Sequence, residues 1–255
     1  MNQATVDDLN EKGFLSPAIE VVRTNLKATY QKAFDDAEAA SGVAQILVMG
    51  AGADRNAPHQ MASLVFFHKT VRSCQAAILL CERGLVVDAQ TLSRSAVEAL
   101  FHAAALINDP SVFARMGRAG DIEDRKQAEA MIRSLVGLGL TDKNIQDLNE
   151  VISRAEGAGP GFSTYDAARV AGLTPLYDTM YRGLSSVASH ATFRSMDSSL
   201  LVRDGEPVLV TGPTEYHLEF TLGILKTCLE IASNRLRDNF IYEEGGARRS
   251  PVQVR

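Results

Sequence analysis

The sequence predicts an all-α fold, a multi-helix bundle of about seven or eight helices with one short β-hairpin before a long final helix. Three observations carry this. Apolar residues recur at offsets of three and four along most of the chain, the spacing that lines one face of a helix. Gly, Pro and capping residues stand between these periodic stretches. Only LLVRDGEPVLV, Leu200 to Val210, reads as strand, two short β-type runs around Asp204-Gly205. Pro207 within it suits an edge strand.

Composition sets the frame. The 255 residues can bury a sizeable core, and 45% hydrophobic with 22% charged residues is ordinary for a globular chain. A formal charge of -5 and a pI near 5.6 argue against a broad nucleic-acid-binding surface, DNA included, while a local basic groove stays open. Three cysteines, Cys74, Cys81 and Cys228, lack metal or redox spacing and read as buried small apolar residues of a reduced, cytoplasmic protein. The N-terminus MNQATVDDLNEKGF lacks the pattern of a signal peptide, and no apolar run approaches the length of a membrane span, so no membrane association is expected.

The elements follow in order. Residues 1–15 form a polar N-terminal segment, and a single helical domain is expected over 16–243. Ser16 caps and Pro17 opens a first helix with Ile19, Val22, Leu26, Tyr30, Ala33 and Ala37 inward, ended or bent at Ser41-Gly42. Gly50 to Pro58 reads as a plain connector, since no strand precedes its Gly-x-Gly and no Gly-Lys-Ser/Thr follows. His59 to Glu82 is a helix with Met61, Leu64, Val65, Val71, Ile78 and Leu79 on its inner side, closed by Gly84. Leu85 to Asn108 follows at once, giving an antiparallel hairpin. Asn108-Asp109-Pro110 separates this helix from another at about 111–136. Thr141 or Asp142 caps the next helix, which runs to about Glu156, and Gly157 to Gly161 breaks the chain. A short helix over Tyr165 to Ala171 precedes LTPLYDTMYRGLSSVASH, opened by Thr174-Pro175 with Leu176, Met180, Leu184 and Val187 inward. Pro213-Thr214 opens the last helix, to about Phe240, with Leu218, Leu222, Leu225, Leu229, Ala232 and Leu236 buried; residues 244–255 read as a disordered tail.

The candidate functional residues centre on the helix from Leu85 to Asn108. It looks made for burial, yet Asp88, Thr91, Ser95, Glu98 and His102 line one of its faces, with Arg94 one turn before Glu98. A buried charge must be paired and hydrogen-bonded or it costs several kcal/mol. A tight turn at Arg83-Gly84 sets His68 opposite the Glu98–His102 end and Arg72 near Ser95 and Glu98, so Arg72 and Arg94 are the expected partners of Glu98. From the later helix, Tyr181, Ser185 and His190, with Arg182 close by in sequence, can face this line.

Arg94-x-x-x-Glu98 on a central apolar helix, with Tyr181-x-x-x-Ser185-x-x-x-x-His190 on a later one, resembles a large family of uncharacterised bacterial all-helical proteins, a domain-of-unknown-function family. The resemblance covers about Val71 to Ala191. More distantly, His190 after Arg182 looks like the Arg…His pattern of HEPN ribonucleases, although seven residues, Gly183 to Ser189, intervene where that pattern has four to six. The HEPN likeness implies a homodimer, RNA as a substrate, and a toxin–antitoxin or phage-defence setting.

Three readings follow. In the one adopted, the protein is an interaction or ligand-binding module whose Arg94, Glu98, Ser185 and His190 network, with Arg72, Tyr181, His68 and His102, fixes helix register. In the second it is a HEPN-like, metal-independent ribonuclease, with His190 as acid/base, Arg182 or Arg94 at the phosphate and Glu98 orienting one of them. The third is a helix-bundle metalloprotein built on Glu98 and His102 with His68 and His190. The lone Glu-x-x-x-His, without a His-Glu-x-x-His, assigns no metal ligand, and no cofactor is expected.

Overall fold

A computed structural model of the chain describes residues 3–54, 56–135, 137–155, 161–187, 196, 199–203 and 205–242. It is all-α. Helix α1 (Gln3–Lys12) leads through a 3-10 turn (Gly13–Leu15) to α2 (Ile19–Thr29) and α3 (Gln31–Gly50). The polar N-terminal segment is thus helical. Ser16 is buried and its hydroxyl accepts from the amide of Ala18, as a cap would. The single first helix read from the sequence is two helices parted at Tyr30, whose φ of -109° and ψ of 29° leave helical space. The second passes straight through Ser41-Gly42 to Gly50, because Ser41 faces the core and is buried there.

The expected connector contains a two-residue strand, β1 (Ala51–Gly52), paired antiparallel with β4 (Ile241–Tyr242) near the far end of the chain. Two long helices follow, α4 (Pro58–Cys81) and α5 (Val86–Asn108). Their turn is a C-capping motif in which the amide of Leu85 donates to Leu80 O (3.0 Å) and that of Gly84 to Cys81 O (3.1 Å). Gly84 has φ +73°, and a Cβ there would lie 2.8 Å from Pro213 Cβ, so the turn requires glycine twice over.

The α4 face differs from the expectation. Phe67, Val71, Cys74 and Ile78 are buried, but Met61, Val65 and Leu79 are exposed, because α4 packs on α5, α11 and α3 through its opposite side. By length and composition α4 is also apolar enough to cross a membrane, where no run of that length is expected from the sequence. Its buried face packs in the bundle core.

Helices α6 (Val112–Leu135) and α7 (Asp142–Arg154) pack mainly on each other. Only Val112 and Ala128 of α6 are buried, and no residue of α7 is, although Thr141 caps α7 in a reciprocal box with Asn144. After α8 (Thr164–Val170) comes a broken helix: α9 (Thr174–Leu176), a π-helical turn (Tyr177–Tyr181) and α10 (Arg182–Val187). Strands β2 (Leu200–Arg203) and β3 (Glu206–Leu209) pair antiparallel. The last helix, α11 (Leu218–Asn239), starts later than Pro213-Thr214 predicted, since Pro213 and Thr214 pack against Gly84 and the Thr214 amide donates to Gly84 O. The 244–255 tail lies outside the described residues.

The core sits around α5, whose Ala96, Val97, Leu100, Phe101 and Ala103 to Leu106 are buried against α4, α8 and α11. One carboxylate is sealed at the edge of this core. Glu82, 4% exposed, accepts from Arg23 Nε (2.6 Å) and Lys27 Nζ (3.1 Å), pinning α2 to the end of α4. Burial pushes its carboxyl up, but the hydrogen bonds from those two cations outweigh this and hold it below its ordinary value.

Candidate functional site

The polar line of α5 is answered residue by residue. Asp88 is exposed. The hydroxyls of Thr91 and Ser95 donate back to Val87 O and Thr91 O, one turn earlier on the same helix. Glu98 and Arg94 are answered from the π-helical segment. Pro175 helps start that segment, and its five π-helical residues close with the amide of Arg182 donating to Tyr177 O. The extra residue of the wider turn stacks Tyr177 on Tyr181, with ring centroids 5.1 Å apart, and lays both rings near Phe101.

Arg94 is the hub. Its Nε donates to Ser185 Oγ (2.7 Å), Nη2 donates to Tyr181 Oη (2.6 Å), and Nη1 lies 3.4 Å from Glu98 Oε2. Tyr181 Oη in turn donates to Glu98 Oε2 (2.9 Å). The guanidinium carbon also stands 4.6 Å from the Tyr181 ring centroid. Burial, with Glu98 beside it, pushes the Tyr181 phenol above its ordinary value against the opposing hydrogen bond with Thr164 and the charge of Arg94. Tyr181 is therefore a neutral donor at neutral pH. With side-chain exposures of 24% for Arg94 and 35% for Glu98, the cluster is open on one side, and the contacts of Glu98 with Arg94 and Tyr181 both fall on Oε2, which leaves Oε1 without a partner among the described residues.

His102 lies one turn beyond Glu98, between Phe66 and Phe162, at centroid distances of 5.5 and 6.0 Å. Its Nδ1 is buried and meets no hydrogen-bond partner among the described residues. Burial drives its pKa below the ordinary value, outweighing nearby Glu98, with Lys69 acting in the same direction as burial. Arg115 covers the neighbouring Phe162, 4.5 Å from its centroid.

The remaining expected residues do not join this cluster. Arg72 and His68 are exposed on the outer face of α4 and make no hydrogen bond or ion pair with a described residue. The expected approach of Arg72 to Glu98 therefore does not occur: Arg72 occupies the side of α4 turned away from α5. Arg182 is exposed as well. His190 lies outside the described residues, as do Ser189 and Arg194. No three His, Cys, Asp or Glu side chains among the described residues come together as metal ligands would. The three cysteines are buried, and burial with Glu82 alongside pushes the Cys81 thiol up to about 12, so it stays protonated.

Sequence reasoning missed Phe162 and Thr164, which close the site from the start of α8. Ser163-x-x-Asp166 was a legible cap for that helix, with the Asp166 amide donating to Ser163 Oγ, but nothing in it announced a route to Tyr181.

A family model described as a family of unknown function (DUF5677) matches residues 60–207, more than half of the 255-residue chain and all of the cluster just described. No curated protein and no solved structure matches.

Proposed function

Since the chain belongs to the DUF5677 family, whose function is unknown, its role has to be read from the site itself, and we propose that it is a non-catalytic helical interaction or ligand-binding module. In this reading the Arg94–Glu98–Tyr181–Ser185 cluster is a clasp that holds the π-helical segment and α10 on α5. One observation carries it: each nitrogen of Arg94 is engaged by Ser185, Tyr181 or Glu98. An arginine so committed is poorly placed to bind a substrate phosphate, whereas it fixes geometry well. A ligand reaching the cluster meets the open carboxylate of Glu98, which favours a hydrogen-bond donor or a cation over an anion.

The test is a double-mutant cycle. Arg94→Met and Tyr181→Phe are each expected to lower stability by about 1–3 kcal/mol, with a combined loss smaller than the sum because they share one network. Urea midpoints measure this. Strict additivity, or unchanged midpoints, would remove the clasp.

A second reading, the HEPN-like metal-independent ribonuclease, is favoured by one fact: Ser185, bonded to Arg94, is only five residues before His190 in the chain. Here His190 is the acid/base, exposed Arg182 takes the phosphate, and Glu98 orients Arg94. Cleavage of a fluorogenic RNA by the wild-type protein, lost in His190→Ala at unchanged melting temperature, supports it; an inactive wild type eliminates it.

A further inference from the structure

Helix α8 is held differently at its two ends. At the C-terminal end Asn108 Nδ2 donates to Val170 O (2.9 Å) and Arg235 Nη2 donates to Ala171 O (3.0 Å), so α5 and α11 grip it through hydrogen bonds. At the N-terminal end Phe162, one residue before the Ser163 cap, packs against His102, and Thr164 reaches Tyr181 beside it. Phe162 is buried there, and the guanidinium of Arg115 covers it as well.

The imidazole in this contact is the anomaly. Its Nδ1 is buried without a hydrogen-bond partner among the described residues. A neutral ring can leave that nitrogen as an unused acceptor. In a protonated ring both nitrogens are donors, and a buried cationic donor with no acceptor is far costlier. Charged side chains face the ring from the elements packed on it. Lys69 from α4 and Arg115 from α6, beyond Phe162, are cations, and Glu98 on α5 is a carboxylate. On α8, Asp166 is held below its ordinary value first by its hydrogen bonds with Ser163 and then by Arg115, so it stays ionised. Glu98 stands one turn before His102 on the same face of α5, and its Oε1 has no partner among the described residues.

From this geometry we propose that His102 is a proton-operated latch on α8. Neutral, the ring stays against Phe66 and Phe162 and keeps the N-terminal end of α8 shut on α5. On taking a proton at Nδ1 it turns out of that slot toward Glu98 Oε1. Phe162 then loses its partner, and the N-terminal end of α8 opens while Asn108 and Arg235 hold the other end. The proton comes from solvent and returns to it as the pH rises. Opening carries Thr164 away from Tyr181 and uncovers Glu98, so acid widens the way to the site. Linkage gives the sign: a solvated ring paired with a carboxylate binds a proton more tightly than a buried, unpartnered one, so falling pH favours the open form. The latch governs access to the cluster and does not depend on what the cluster binds.

The experiment is amide hydrogen exchange on the full chain at about pH 7.5 and about pH 5.5, corrected for the intrinsic rate at each pH. The amide of Ala167, which donates to Ser163 O, reads the N-terminal end of α8, and that of Leu225 reads the core of α11. In acid the opening at Ala167 is expected to rise about fivefold or more. Dilute urea should not promote it, as befits a local event. His102→Phe keeps a ring that cannot take a proton and should abolish this response. Phe162→Leu removes the ring on which the latch acts and should leave Ala167 poorly protected at both pH values, which decides the matter if His102→Phe does not fold. Unchanged protection of Ala167 in wild-type protein overturns the proposal, as does an acid response that grows with urea as steeply as at Leu225. So does the same response in His102→Phe, or wild-type protection of Ala167 in Phe162→Leu.

Discussion

Arg94 and His102 sit two turns apart on one helix and illustrate opposite solutions to the same problem. Arg94 brings a charge into a partly closed site and has every nitrogen answered. His102 brings an imidazole there whose buried Nδ1 has no partner among the described residues, and burial favours the neutral ring. The folded protein therefore resists binding a proton that the unfolded chain accepts near the ordinary histidine value of 6.5. The unfolded state then binds more protons, and stability falls as pH drops through that value. Urea midpoints followed from about pH 7.5 to about pH 5.5 should decline in the wild type and decline less in His102→Gln. Equal slopes would show that the imidazole titrates as freely in the folded protein as in the unfolded chain.

At the scale of elements, the turn between α4 and α5 decides where the chain can go next. Gly84 has a left-handed backbone conformation, and a side chain there would also strike Pro213. Gly172 has φ +70° as well, but a Cβ on it would meet nothing within 4 Å. Gly172→Ala should thus cost only the left-handed penalty of about 1–2 kcal/mol, whereas Gly84→Ala should cost clearly more, because the segment before α11 must also move. Thermal melts of the two variants side by side measure the difference. The helix signals in the sequence located α4, α5, α7 and α8 to within a residue or two of their ends, because caps and C-terminal glycines act locally. They missed the break at Tyr30 and the π-turn at Tyr177. No Gly or Pro flanks Tyr30, and Pro175 marks a helix start without specifying the wider turn that follows it.

The whole molecule has an uneven distribution of core. α4, α5 and α11 hold the large buried side chains, while α6 and α7 lean chiefly on each other with almost nothing buried. Amide hydrogen exchange should therefore find α6 and α7 opening at far lower free energy than α5 and α11, as one local unit. Uniform protection across all of these helices would mean that the hairpin is tied to the core more tightly than its burial implies.

The sequence by itself determined the all-α class, the central place of the helix from Leu85 to Asn108, and the pairing of Arg94 with Glu98 along it. Each follows from spacing within one helix, where three or four residues fix a neighbour whatever the rest of the chain does. The tertiary structure decided the contacts between helices. It brought Tyr181 and Ser185 to Arg94, turned Arg72 and His68 outward, and left Met61, Val65 and Leu79 exposed where periodicity had placed them inward. A hydrophobic stripe states that a helix has an apolar side. When a helix carries apolar residues all round, as α4 does, only its neighbours settle which side is buried.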